Sequence, residues 1–246
     1  MTEAKDKAIR FLEIYDRLDR YMRDKLLGES ARGQDDAHSN LIRKLAKEHP
    51  IFDKYEFDLL SFARLRNSIV HNPKKKLFDP IAEPHDDVLA LYESLYLRIA
   101  QPDKVLDIAT SRESMLVVQF DDRLLDTMRK MRAGGFHCVP VIKGGNFFGV
   151  FSESTVFRML TEAGEAHITE EMTFAAVADY LPIDRNPDEI YLFRPLTMTV
   201  IEAIDAFDRA IEGDRRLMAI FITEKGHKDE YIQGMMTAWD VAGYEA

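Results

Sequence analysis

One cysteine, one tryptophan and the lack of any long apolar run set the first limits on this chain of 246 residues. A lone Cys138 excludes an internal disulfide and cannot by itself build a thiolate metal site, which fits a reducing compartment. No stretch approaches the roughly 18 to 20 apolar residues of a membrane span, and the opening "MTEAKDKAIRF" lacks the basic-then-apolar layout of a signal peptide. These absences predict a cytoplasmic protein with no membrane partner. The sequence also has no phosphate-cradling glycine loop and no zinc-spaced set of His or Cys, so no metal is expected. Ser61 and Ser68 lack the base and acid arrangement of hydrolase chemistry.

What is present describes a folded chain: 46% hydrophobic and 31% charged residues lie well away from disordered composition. The length exceeds that of one ordinary core and predicts two domains. Charge separates them. Of the 33 basic and 43 acidic residues, 18 of each fall in residues 1–100, so the remainder carries 15 basic against 25 acidic and the whole net charge of -10. Phosphate contacts need Lys and Arg to displace counterions, so an acidic second half argues against a general nucleic-acid surface, and no DNA partner is expected. Any RNA contact belongs to the first half. There, Leu59 to Phe78 contains Arg64, Arg66, Lys74, Lys75 and Lys76 and no carboxylate.

Residues 1–100 read as an antiparallel four-helix bundle. The first helix runs from Ala4 to about Leu27, with Ile9, Leu12, Tyr15, Met22 and Leu26 at helical spacing and Gly28 as a stop. "GESARGQDD" is a polar loop. A second helix covers Ser39 to His49, closed by Pro50. A third covers Lys54 to about Asn72, closed by Pro73, with Phe57, Leu60, Ala63 or Arg64, Leu65, Ile69 and Val70 inward. After the proline-rich connector "PKKKLFDPIAEP", a fourth runs from His85 to Ala100 with Val88, Leu91, Leu95 and Ile99 inward.

Past Lys104 helices alternate with short strands, an α/β pattern that occupies 104–246. "SMLVVQF" is a strand, "DDRLLDTMRKMRAGG" a helix, and "FHCVPVIKGGNFFGVFS" a hairpin around Gly144-Gly145. A helix from Glu153 to about Ala163 closes the first copy, about 105–164. The order then recurs over about 173–246: "YLFRP", the helix "MTVIEAIDAFDRAIEGDRR", the strand "LMAIFITE", a turn at "KGHKD", the strand "EYIQGMMT" and a short helix at "AWDVAG". Gly149 to Ser152 and Gly234 to Thr237 stand at matching places. The chain is thus a multidomain α+β protein, an all-α bundle followed by an α/β pair.

The hairpin "HCVPVIKGGNFFGVFSES" and the ordered repeat resemble a tandem pair of CBS domains. The resemblance implies two units packed by their sheets, nucleotide clefts between the repeats, dimerisation through helices, and an adenine nucleotide such as AMP, ADP or ATP, or S-adenosylmethionine, as ligand. It also implies a Ser or Thr three residues before an Asp at the last helix start, which holds ribose and phosphate. Copy two has this as Thr237-Ala238-Trp239-Asp240. Copy one departs from it, because Ser152-Glu153-Ser154-Thr155 puts threonine where the carboxylate is expected. Arg215 and Arg216 stand ready for phosphates, and His137 occupies the equivalent place in copy one. The bland alternative is that Thr237 and Asp240 only cap the last helix.

"RNSIVH", Arg66 to His71, has the arginine-to-histidine spacing of the HEPN family of helical ribonucleases, which it resembles. Arg132 to His137, Arg32 to His38 and Arg43 to His49 share the spacing, but only Arg66 has an adjacent asparagine late in a long bundle helix. Asn67 and His71 are four residues apart on one helical face, with Arg66 one step around. His71 has an ordinary pKa near 6.5 and suits proton transfer, Arg66 suits a phosphoryl transition state, and Asn67 orients the imidazole. No metal is needed for this chemistry. The family's habit of building its site across a two-fold dimer implies a homodimer, with Arg64 and Lys74 to Lys76 along the RNA. The combined expectation is a nucleotide-regulated endoribonuclease, suited by family analogy to a toxin or defence factor. The competing reading is a noncatalytic nucleotide sensor whose bundle mediates dimerisation or partner binding.

Overall fold

Ala8, Phe11, Ile14, Leu18 and Met22 form one buried stripe down α1 (Glu3–Tyr21) and its π-helical extension Met22–Leu26. In the computed structural model of the protein, residues 3–26, 37–70, 82–162, 168–211, 215–242 and 244 are described. They divide into two units, Met1–Asp103 and Lys104–Ala246. No helix among them is long and apolar enough to cross a membrane.

The first unit is helical. After α1 come α2 (His38–Ala46), α3 (Pro50–Lys54), α4 (Glu56–Val70) and α5 (Asp86–Ala100). α1 packs on α4 and α5, and α2 on α3 and α4, around Phe11, Leu41, Phe52, Phe62 and Tyr92. Pro50 does not merely end a helix. It opens α3, where its missing N–H is no loss, and Tyr55 then leaves helical geometry before α4 begins. Met22, Ile69, Leu95 and Ile99 are buried as expected, but the rest of the buried faces is displaced. Ala8 and Phe11 are buried where Ile9 and Leu12 were expected, Leu59 and Phe62 rather than Phe57 and Leu60, and Leu89 and Tyr92 rather than Val88 and Leu91. Each helix carries two adjacent apolar rows. The outer row packs at the edge of the core, and Phe57 is 77% exposed.

The second unit opens with a single turn, α6 (Val105–Ile108), and a two-residue strand, β1 (Thr110–Ser111). Two copies of one unit follow. The first is β2 (Val118–Gln119), α7 (Leu124–Gly134), β3 (Cys138–Lys143), β4 (Asn146–Ser152) and α8 (Glu153–Glu162). The second is β5 (Glu189–Pro195), α9 (Val200–Ile211), β6 (Arg216–Thr223), β7 (Gly234–Met236) and α10 (Ala238–Ala242). In each copy the first strand is parallel to the second and the second antiparallel to the third. Left-handed Gly135 ends α7, and Gly144 and Gly145, at φ 58° and 85°, turn the hairpin that joins β3 to β4. The strand in "SMLVVQF" shrinks to two residues and that in "EYIQGMMT" to three.

Alternation along the strands feeds two layers. Val139, Val141 and Phe151 face the helices of copy one, while Leu217, Ile220 and Ile222 face those of copy two. Cys138, Val150, Tyr191, Ala219, Phe221 and Met235 meet between the sheets, where Phe147 also lies edge-on to Phe193 at 5.0 Å. The leading segments cross over. β1, ahead of copy one, pairs with β7 of copy two, and Arg112 N–H donates to Gln233 O. The segment ahead of copy two lies on β4 of copy one, where Val150 N–H donates to Leu181 O at 2.9 Å.

The two matched glycines stand at these crossings. A Cβ on Gly149 would overlap the Leu181 carbonyl, whereas one on Gly234 would meet the movable Leu106 Cδ2 at 3.1 Å and Thr110 O at 3.3 Å. Gly149→Ala is therefore expected to destabilise the second unit by about 3 kcal/mol, and Gly234→Ala by about 1 kcal/mol. Urea unfolding followed by Trp239 fluorescence checks the order. Equal midpoints for Gly149→Ala and wild type would contradict it.

Candidate functional site

Because β1 lies against β7, the starts of β3, β6 and α10 converge on one cavity of about 740 Å³ in the second unit. Thr110, His137, Cys138, Glu153, Arg216, Met235, Thr237, Trp239 and Asp240 line it. A volume of this order suits a small-molecule ligand. Arg215, beside Arg216, is exposed and is not among the lining residues.

Asp240 accepts twice from Thr237 at the start of α10. The Asp240 carboxylate accepts from Thr237 N–H at 2.7 Å and from the Thr237 hydroxyl at 2.8 Å, both on Oδ2. The capping alternative is thus present in the structure. Both bonds use one oxygen, and a carboxylate retains acceptor capacity on the other, so capping and ligand contact are compatible. Trp239, between them in the chain, is 78% exposed and gives the cavity an aromatic wall. His137 Nδ1 lies 3.4 Å from Glu153 Oε1 at the copy-one side. Burial, then the Glu189 charge, pushes the Cys138 thiol up to about 12, so it lines the cavity as an inert thiol.

The corresponding cap in copy one is tied into a buried network. Ser152 and Thr155 cap α8 reciprocally, Thr155 N–H donating to Ser152 Oγ at 3.3 Å and Ser152 N–H to Thr155 Oγ1 at 3.1 Å. Ser152 Oγ then donates to Glu189 Oε2 at 2.8 Å, which also accepts from Asn186 Nδ2 at 2.7 Å and the Tyr191 hydroxyl at 2.8 Å. All five residues are buried, and three donors offset the cost of enclosing the carboxylate. Burial raises the Tyr191 pKa, as do the neighbouring Cys138 and Glu189, so the phenol remains a donor. The carboxylate absent from the cap of copy one is supplied by β5 and spent inside the protein.

In the first unit, α4 carries Arg64, Arg66 and Asn67. Arg64 and Asn67 are exposed. Arg66 Nη1 donates to Asn67 Oδ1 at 3.4 Å, and its Cζ lies 5.2 Å from the centre of the Tyr15 ring. Its Nε is buried and has no hydrogen-bond partner among the described residues. His71, Lys74, Lys75 and Lys76 lie outside the described residues. Nothing in the sequence pattern singled out the group behind Arg66. His38 stacks on Tyr15, ring centres 4.0 Å apart, and its Nδ1 lies 2.8 Å from Asp19 Oδ1. Arg23 Nε donates to Asp19 Oδ2 at 2.8 Å. Partial burial pushes the Asp19 carboxyl up, but the hydrogen bonds and charges of His38 and Arg23 outweigh it and bring its pKa down to about 2.

The CBS domain family model matches residues 105–162, and this segment is a CBS domain. The second copy repeats its strand and helix order. None of the curated proteins compared with the chain matches it. Among solved structures it is similar to the hemolysin-like CBS-domain protein of Oenococcus oeni PSU, at 16% identity over 58% of this chain and 90% of that one, with a TM-score of 0.37. It is similar to the CBS domain of a bacterial CNNM/CorC-family Mg2+ transporter in complex with ATP, at 17% identity over 62% and 91%, with a TM-score of 0.39. It is also similar to CBSX2 in complex with AMP, at 16% identity over 57% and 93%, with a TM-score of 0.40. A CBS domain directs the functional reading toward nucleotide sensing or regulation.

Proposed function

We propose that the protein is a regulator that binds an adenine nucleotide in the cavity of its second unit and, under that ligand's control, cleaves RNA with its helical unit. The observation that carries the first part is the meeting of Thr237, Asp240 and Arg216 with exposed Trp239 in one cavity. Asp240 accepts from the ribose hydroxyls, Arg216 meets phosphate, and Trp239 covers an aromatic base. The copy-one cap is committed to Glu189, so one nucleotide binds per chain.

Trp239 is the sole tryptophan, which makes binding directly readable. Titration with adenosine, AMP, ADP and ATP should change its fluorescence saturably. Asp240→Asn, which keeps a capping side chain, should weaken binding about tenfold, the loss of a charged hydrogen bond. No saturable change with any of the four would overturn the nucleotide reading.

The RNA reading rests on Arg66, which has spare donors beside Asn67, and on the spacing to His71 in the sequence. His71 transfers a proton, Arg66 stabilises the phosphoryl charge, and two chains pair to supply both proton transfers. The cleavage needs no metal. Purified protein should cut a fluorophore-quencher RNA in EDTA, and His71→Ala should abolish cutting with the fold intact by circular dichroism. Equal rates for the two proteins would move the assignment to a noncatalytic sensor whose bundle binds partners.

A further inference from the structure

Buried polar side-chain atoms almost always find partners, so those that do not mark places where something else belongs. Among the described residues of the helical unit, three such atoms are found: His38 Nε2, Arg66 Nε and the Tyr92 hydroxyl. His38 and Arg66 both contact the Tyr15 ring, and the two distances together put the imidazole centre no more than about 9 Å from the guanidinium carbon.

Arg66 differs in its partners from three other arginines of the helical unit. Arg10 pairs with Glu93, Arg17 with Glu13 and Arg23 with Asp19, whereas among the described residues Arg66 meets its chain neighbour Asn67 and an aromatic ring and no carboxylate. With Nε buried and Nη1 on Asn67, the guanidinium keeps Nη2 for an anion from outside. The ring itself is fixed from behind. His38 is 7% exposed, lies 24° from parallel with Tyr15, and is tied to Asp19, which Arg23 holds in turn.

We propose that Tyr15, backed by the His38–Asp19 pair, is the positioning residue that presents Arg66 to a phosphate group of RNA. This inference rests on the RNA reading of the helical unit and adds to it a residue on a different helix. Tyr15 acts through Arg66 and takes no part in bond breaking.

The test is the binding of a fluorescein-labelled single-stranded 2'-O-methyl RNA, which resists cleavage, measured by anisotropy over a range of salt. The proteins are wild type, Arg66→Gln, Tyr15→Leu and Tyr15→Phe, each checked for helicity. Arg66→Gln should bind about tenfold more weakly, with a salt slope lower by about 0.7, the value for one lost phosphate contact on a single strand. Tyr15→Leu should match it, and Tyr15→Phe, which keeps the ring, should behave as wild type. A weak Arg66→Gln beside a wild-type Tyr15→Leu would overturn the inference and leave the RNA reading standing. If wild type binds no RNA, or Arg66→Gln binds as well as wild type, the RNA reading fails. The Arg66 Nε–H resonance titrated with inorganic phosphate then decides. A shift in wild type that Tyr15→Leu loses supports a phosphate site, and no shift overturns it.

Discussion

The second unit depends on a close backbone approach at Gly149, where the Leu181 carbonyl occupies the space of a side chain. Through it the segment leading into copy two is held on the sheet of copy one, while β1 is held reciprocally on β7. Each copy has a sheet edge covered by a segment from outside that copy. The cavity lined by Thr110, Cys138, Arg216 and Asp240 exists because strand starts from both copies and the crossing segment meet there. Apolar packing between the sheets, from Cys138 and Val150 to Phe221 and Met235, holds the two halves of that cavity together.

Sequence repetition has not produced two equal sites. In copy two the cap carries its own carboxylate, and Asp240 lines open space. In copy one the cap is built from hydroxyls, and Glu189 reaches in from β5 to satisfy Ser152, Asn186 and Tyr191. A buried carboxylate with three donors is stabilising only as a complete set, so this half serves stability and the other remains available to a ligand.

Much of this was legible in the sequence for local reasons. Gly135, Gly144 and Gly145 set a helix end and a turn through their positive φ, and the repeated strand and helix order announced the paired architecture. The match of Gly149 to Gly234 was visible as repetition, but its cause was not, since a two-residue β1 and a passing Leu181 leave no periodic signal. Met22, Ile69, Leu95 and Ile99 were placed correctly, but other parts of the helix faces were misplaced because two neighbouring apolar rows compete, and only packing partners choose between them. The contacts made by Glu189, Tyr15 and His38 were not legible for a similar reason. Their roles come from residues distant in sequence, Ser152 for Glu189 and Asp19 with Arg66 for the ring pair. Thr237 and Asp240 were singled out by the resemblance to CBS domains, and their contact is local because they lie within four residues of one another.

A ligand regulates only if it favours one state of the protein over another, since equal affinity for both shifts nothing. Binding in the cavity and chemistry at Arg66 are separate claims, and their coupling is the center of the account. The most direct measurement is the rate of RNA cleavage in EDTA with and without AMP or ATP, for wild type and Asp240→Asn. A nucleotide-dependent rate in wild type that needs about tenfold more nucleotide in Asp240→Asn is the predicted result. A wild-type rate that stays the same at saturating nucleotide would contradict it.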